Sequence, residues 1–119
     1  TLENGQHGIC FASGCAAIAA TVHLLKTGEH VLLCDDVYGG TLRLFESVFS
    51  PLGIEYTRVD MTKLESINSS LKSNTRLVWI ETPTNPLLKI IDISAVVDEI
   101  KKTHPKTLVA VDNTFATPY

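Results

Sequence analysis

No two cysteines are spaced as C-x-x-C, and the three that occur, Cys10, Cys15 and Cys34, are an odd number lying in or beside apolar runs. That argues against a disulfide scaffold or a zinc ribbon and predicts reduced thiols in a cytosolic core. Basic charge is also scarce. Ten Lys plus Arg against thirteen Asp plus Glu leave a formal charge of -3, so no field exists to hold a nucleic acid backbone or an anionic membrane. Long apolar runs are missing: Leu77 to Ile80 and Leu108 to Val111 fall far short of the ~20 residues that span a bilayer. The chain therefore reads as soluble and cytoplasmic. Neither G-x-G-x-x-G nor G-x-x-x-x-G-K-[ST] occurs, which removes the main support for dinucleotide and P-loop sites. His7, His23, His30 and His104 show no metal spacing and read as structural or solvated. The only Met is Met61, no signal peptide is recognisable, and Phe115 to Tyr119 are apolar and aromatic. These features predict a piece of a longer protein.

What is present is an ordinary globular composition: 119 residues, 45% hydrophobic and 19% charged, enough for one packed core. Gly8 to Ala12, His30 to Cys34, Ile54 to Val59, Arg76 to Ile80 and Thr107 to Val111 are short, rich in Ile, Leu and Val, and bounded by turn residues. They read as strands, mostly buried on both faces. Ile93, Val96, Val97 and Ile100 repeat at helical spacing, with Asp92 as N-cap and Pro105 beyond the end. Leu64, Ile67 and Leu71 form a second stripe. Leu42, Phe45, Val48, Phe49 and Leu52 form a third, ending near Pro51-Leu52-Gly53. Gly14 to Lys26 is Ala-rich, suiting a helix laid close against a sheet before a stop at Gly28. Such alternation predicts an α/β fold: right-handed βαβ crossovers and a mainly parallel sheet covered by helices.

Ligands of such sheets bind beyond the carboxyl ends of the strands, and the polar residues collect there. Ser13-Gly14-Cys15 opens the Ala-rich helix, where free N–H groups suit either a phosphate or a plain N-cap turn. Asp35-Asp36 reads as a turn pair more readily than as a metal pocket. Pro83 and Pro86 restrict the backbone around Asn85. Asp112 ends an apolar strand, and its carboxylate needs a partner, either a capped turn or a cationic ligand atom.

Four motifs in order, F-A-S-G-C-A-A (Phe11 to Ala17), D-D-V-Y-G-G-T (Asp35 to Thr41), V-W-I-E-T-P-T-N-P (Val78 to Pro86) and V-D-N-T-F-A-T-P-Y (Val111 to Tyr119), closely resemble the Cys/Met-metabolism family of pyridoxal-phosphate enzymes. The resemblance runs along essentially the whole chain. It implies the front part of the large domain of a fold-type I transferase, a three-layer sandwich with helices on both faces of the sheet. The N-terminal arm, the Schiff-base lysine segment and the C-terminal domain would lie outside this stretch. It implies pyridoxal 5'-phosphate as cofactor, with its phosphate on the Gly14 and Cys15 N–H groups and Tyr38 stacked on the ring and assisting proton transfer. Asn85 would bond the phenolic oxygen, Asp112 the protonated ring nitrogen, and Thr114 would lie alongside. Arg43 matches a substrate-contacting position together with Tyr38. Glu81 matches a family position whose role, in the site or in the scaffold, stays open.

The Schiff-base lysine is implied in a Ser-x-x-Lys segment C-terminal to Asp112, and none of Lys26, Lys63, Lys72, Lys89, Lys101, Lys102 or Lys106 is read as that residue. By resemblance the substrate is a small sulfur amino acid and the assembly a homo-oligomer, a tetramer in expectation. γ-Elimination on cystathionine leads over γ-replacement and over chemistry on methionine or acylhomoserines. A non-catalytic α/β binding or receiver module using Asp35 and Asp36 would leave Tyr38, Asn85 and Asp112 unexplained.

Overall fold

The computed structural model describes residues 3–117. Four strands, β1 (His30–Cys34), β2 (Glu55–Val59), β3 (Thr75–Glu81) and β4 (Leu108–Asp112), form one sheet in the order β2-β1-β3-β4. Every neighbouring pair is parallel. The helices are α1 (Gly14–Val22), α2 (Gly39–Leu44), α3 (Leu64–Ser70) and α4 (Ile93–Thr103), with a π-helical turn (Phe45–Phe49) continuing α2. The β1 to β2 crossover runs one way across the sheet, and the β2 to β3 and β3 to β4 crossovers run the other. Right-handed connections therefore set α2 on one face and α3 and α4 on the opposite face. α1 packs beside α2, and α3 beside α4. The expected three layers are present.

The central strands β1 and β3 are apolar at almost every position because both faces are covered: Val31, Leu32, Leu33, Leu77, Val78 and Ile80 are all buried. One face is filled by the rings of Phe45, Phe49 and Tyr56, whose Phe45–Tyr56 centroids lie 5.4 Å apart. α4 contributes Val96 and Ile100. Each such side chain stabilises the fold by roughly 1.5–3 kcal/mol. Asp92 caps α4 as its spacing predicts, its Oδ1 accepting the Ala95 N–H at 2.9 Å. At the amino ends of the strands, His30 is buried, with its ring nitrogens 2.8 and 2.9 Å from the Thr75 and Thr57 hydroxyls.

Three expectations are corrected. Gly8 to Ala12 forms no strand and is exposed throughout. Its composition suits a strand, yet β1 and β3 already pair on both sides, and among the described residues no ladder reaches this segment. α1 stops at Val22 rather than Lys26, because Leu24 and Leu25 turn back on Thr21 and Val22 through i to i−3 bonds and the His23 ring takes the Ala19 carbonyl. Gly28, at φ +85°, belongs to the turn into β1, where its N–H bonds Gly53. The third helix begins earlier than its apolar stripe, at Gly39, and loosens to a π turn before Pro51.

Candidate active site

The direction of the crossovers reverses between β1 and β3, and at such a switch point the loops leaving the two strands diverge and open a crevice. A cleft of about 330 Å³ lies there. Gly14, Cys15, Tyr38, Asn85, Asp112 and Thr114 all line it, and so does Glu81. Ser13, Pro83 and Phe115, all within the motifs, and Ile18, just after the first of them, complete the wall. Four segments remote along the chain thus meet in one place. Pro118 and Tyr119 of the last motif lie outside the described residues.

Each wall has a local cause. Ser13 caps α1, its Oγ accepting the Ala16 N–H at 3.2 Å. The helix geometry leaves the Gly14 and Cys15 N–H groups without intrahelical acceptors. A Cβ built on Gly14 would meet nothing within 4 Å, so the cleft runs right up to this backbone. Tyr38 is the N-cap residue of α2, and its half-exposed ring lies directly over Gly40. A Cβ on Gly40 would stand 2.2 Å from the Tyr38 Cε1. Only a residue without a side chain lets the ring settle there.

Asn85 is held by a loop that the acidic pair after β1 pins down. Asp36 Oδ2 accepts from the Thr84 hydroxyl at 2.5 Å and from the Leu87 N–H at 2.9 Å. Lys89 Nζ reaches Asp35 at 2.9 Å and Asp60 at 3.7 Å. The pair thus does more than make a simple turn. It anchors the Asn85 loop, and the sequence offered no spacing signal for that. Both prolyl bonds of the loop, Thr82-Pro83 and Asn85-Pro86, are cis.

At the end of β4, Asp112 Oδ1 accepts from the Thr114 N–H at 3.1 Å and its hydroxyl at 2.6 Å. Oδ2 accepts no hydrogen bond among the described residues. The capped turn and the free carboxylate oxygen therefore coexist. Directly opposite in the ladder stands Glu81, 5% exposed. Its two oxygens accept the Tyr38 N–H at 3.1 and 2.9 Å. Burial, with the charges of Asp112 and Asp36 adding to it, pushes the Glu81 carboxyl up from 4.5 to about 7, against the opposing Tyr38 hydrogen bond.

Arg43 is not brought to the cleft wall. It is exposed on the last turn of α2, its side chain running back along the helix so that Nη1 would lie 3.5 Å from a Cβ on Gly39. No lysine lines the cleft. Lys72 does stand three residues after Ser69, the literal Ser-x-x-Lys spacing, but it pairs with Glu55 at 3.6 Å at the opposite, amino-terminal end of the strands.

The residues present suit pyridoxal 5'-phosphate. Open backbone N–H groups meet a phosphate, a flat ring meets an aromatic face, and a carboxylate oxygen without a hydrogen-bond partner suits a protonated ring nitrogen. Comparison with known proteins agrees. Over 118 residues the chain is 50% identical to a cystathionine gamma-lyase of Bacillus subtilis, covering 99% of this chain and 31% of that protein. A cystathionine beta-lyase of Lactococcus lactis is 48% identical over 118 residues, again 99% of this chain and 30% of the relative. The solved structure of cystathionine gamma-lyase from Lactobacillus plantarum complexed with L-serine superposes with a TM-score of 0.95 at 42% identity, over 99% of this chain and 30% of that one. The chain thus spans a little under a third of the length of the relatives it matches. The profile of one family covers residues 1–119 without a break, and with identities near one half the chain belongs to the Cys/Met metabolism PLP-dependent enzyme family.

Proposed function

We propose that this chain forms the cofactor-holding front of the large domain of a carbon–sulfur lyase, and that the protein carrying it cleaves cystathionine by γ-elimination to cysteine, 2-oxobutanoate and ammonia. The observation that carries this reading is the convergence of Gly14, Tyr38, Asn85 and Asp112 on one cleft. The Gly14 and Cys15 N–H groups would hold the phosphate at the α1 N-terminus. Asn85 would donate its amide to the phenolic oxygen, and Asp112 would pair through Oδ2 with the ring nitrogen while Thr114 fixes the other oxygen. The wall carries the Asp112 carboxylate and no Lys or Arg, so the negative charge of Asp112 favours a protonated ring. Bound there, the cofactor supplies an electron sink for the pair left on an amino acid's α carbon.

Tyr38 covers one side of that site, excludes water from it, and its phenol is placed to hold or move a proton. Arg43, outside the wall in this structure, is assigned to the mouth of the cleft as a contact for the substrate. The lysine that carries the cofactor is assigned to sequence C-terminal to this stretch, and the working assembly to a cytoplasmic homotetramer. Names among the relatives include both gamma-lyase and beta-lyase, and the γ-lyase reading leads because of the overall likeness of the four motifs. The test is an assay of the full-length protein against cystathionine, methionine and an acylhomoserine. Release of 2-oxobutanoate with cysteine from cystathionine is expected. Pyruvate with homocysteine from cystathionine, or turnover of the acylhomoserine alone, contradicts the γ-elimination reading.

A further inference from the structure

A carboxylate buried in an active-site wall is expensive to keep, and Glu81 is spent on main-chain N–H groups, that of Tyr38 before that of Asn85. Both of its oxygens accept from Tyr38 N, at 3.1 and 2.9 Å. No side chain of α2 caps it at Tyr38; the carboxylate holds the N–H of that residue while its carbonyl accepts the Leu42 N–H. The ring itself is held loosely. It is 44% exposed, it rests on the bare α carbon of Gly40, and its hydroxyl makes no hydrogen bond among the described residues.

We infer that Glu81 is a positioning residue for Tyr38: from the end of β3 it clamps the start of α2 so that the Tyr38 ring stays over the cleft. The inference rests on the cofactor reading above and adds to it a residue that acts chiefly through Tyr38. The clamp also ties the ring to the far wall of the site, because Glu81 is the ladder partner of Asp112. The acidic groups facing Glu81 are Asp112 on β4, Asp36 after β1 and the Cys34 thiol on β1. Burial first, and this crowding after it, hold back its charged form, so a cation at Asp112 would strengthen the clamp.

The experiment is a double-mutant cycle on the full-length protein, read as pyridoxal 5'-phosphate affinity from the visible absorption of the bound cofactor. Glu81→Met, which removes the acceptor at similar volume, is expected to weaken binding about tenfold, and Glu81→Gln, which keeps one acceptor oxygen, to restore it to within about threefold. In a Tyr38→Ala background Glu81→Met should change affinity less than about twofold. An unchanged affinity in Glu81→Met, or an equal loss with and without the Tyr38 ring, overturns the inference. If Glu81→Met does not fold, Glu81→Asp takes its place, since one methylene less withdraws the carboxylate from the Tyr38 N–H with the same expected losses. A wild-type protein that binds no cofactor overturns the cofactor reading itself, whereas a binding wild type with an additive cycle overturns only the role of Glu81.

Discussion

The seat of Tyr38 is decided by one missing atom. Because a Cβ on Gly40 would lie 2.2 Å from the ring, Gly40→Ala must push the ring aside, and the ring, being half-exposed, can move. Stability should therefore change by less than about 1 kcal/mol, while cofactor affinity and turnover fall about tenfold. Thermal melting and absorbance titration of the same variant separate the two effects, and a large drop in melting temperature with normal binding would contradict this. Sequence patterning reached Gly14, Asn85 and Asp112 because each follows an apolar run at a strand end or helix start, and the family resemblance supplied Tyr38. It did not reach Gly40, whose role is a contact with its own neighbour's ring. Nor could it choose a role for Glu81, since nothing local shows that its carboxylate turns back to a residue far upstream. For Asp112 the turn and ligand readings were posed as rivals, and the two oxygens of one carboxylate satisfy both.

The loop that carries Asn85 is held at its base by side chains from the end of β1. Asp36→Ala removes the acceptor of both the Thr84 hydroxyl and the Leu87 N–H, leaving polar groups unpaired at a cost of about 1–3 kcal/mol. Faster hydrogen exchange across residues 84–89 is the expected signature, and unchanged exchange there would count against the anchor. At α4, Asp92→Ala should cost about 1 kcal/mol of stability through loss of the Ala95 contact. Denaturant unfolding measures it. α4 was legible in the sequence because cap and stripe agree and its packing asks for nothing else. Gly8 to Ala12 misled because strand composition is necessary for a strand and a neighbour to bond with is what makes one. The end of α1 misled because Leu24 and Leu25 bond back to Thr21 and Val22 and tighten the last turn.

Across the whole molecule, two buried titratable groups stand at opposite ends of the sheet and pull stability in opposite directions with pH. His30 is lowered from 6.5 to about 4, chiefly by burial and then by the charge of Lys72. The unfolded chain binds more protons there, so stability rises with pH across that interval. Glu81 is raised from 4.5 to about 7, chiefly by burial. Here the folded state binds more protons, and stability falls as pH rises through that window. Over the shared interval the slopes offset one another. Glu81→Gln removes one of them, so its stability should climb by about 1–2 kcal/mol more than the wild type's between about pH 5 and 6.5. Parallel urea-unfolding curves for the two proteins would contradict the opposed slopes.

The arrangement of the molecule around its cleft has one central claim, that Asp112 meets the protonated nitrogen of pyridoxal 5'-phosphate. Asp112→Asn keeps an oxygen for the Thr114 turn and removes the charge. Equilibrium titration of the full-length protein with the cofactor, followed by visible absorption, should saturate for the wild type and require at least about tenfold more cofactor for Asp112→Asn. A wild type that stays colourless, or a variant that binds as tightly as the wild type, would contradict it.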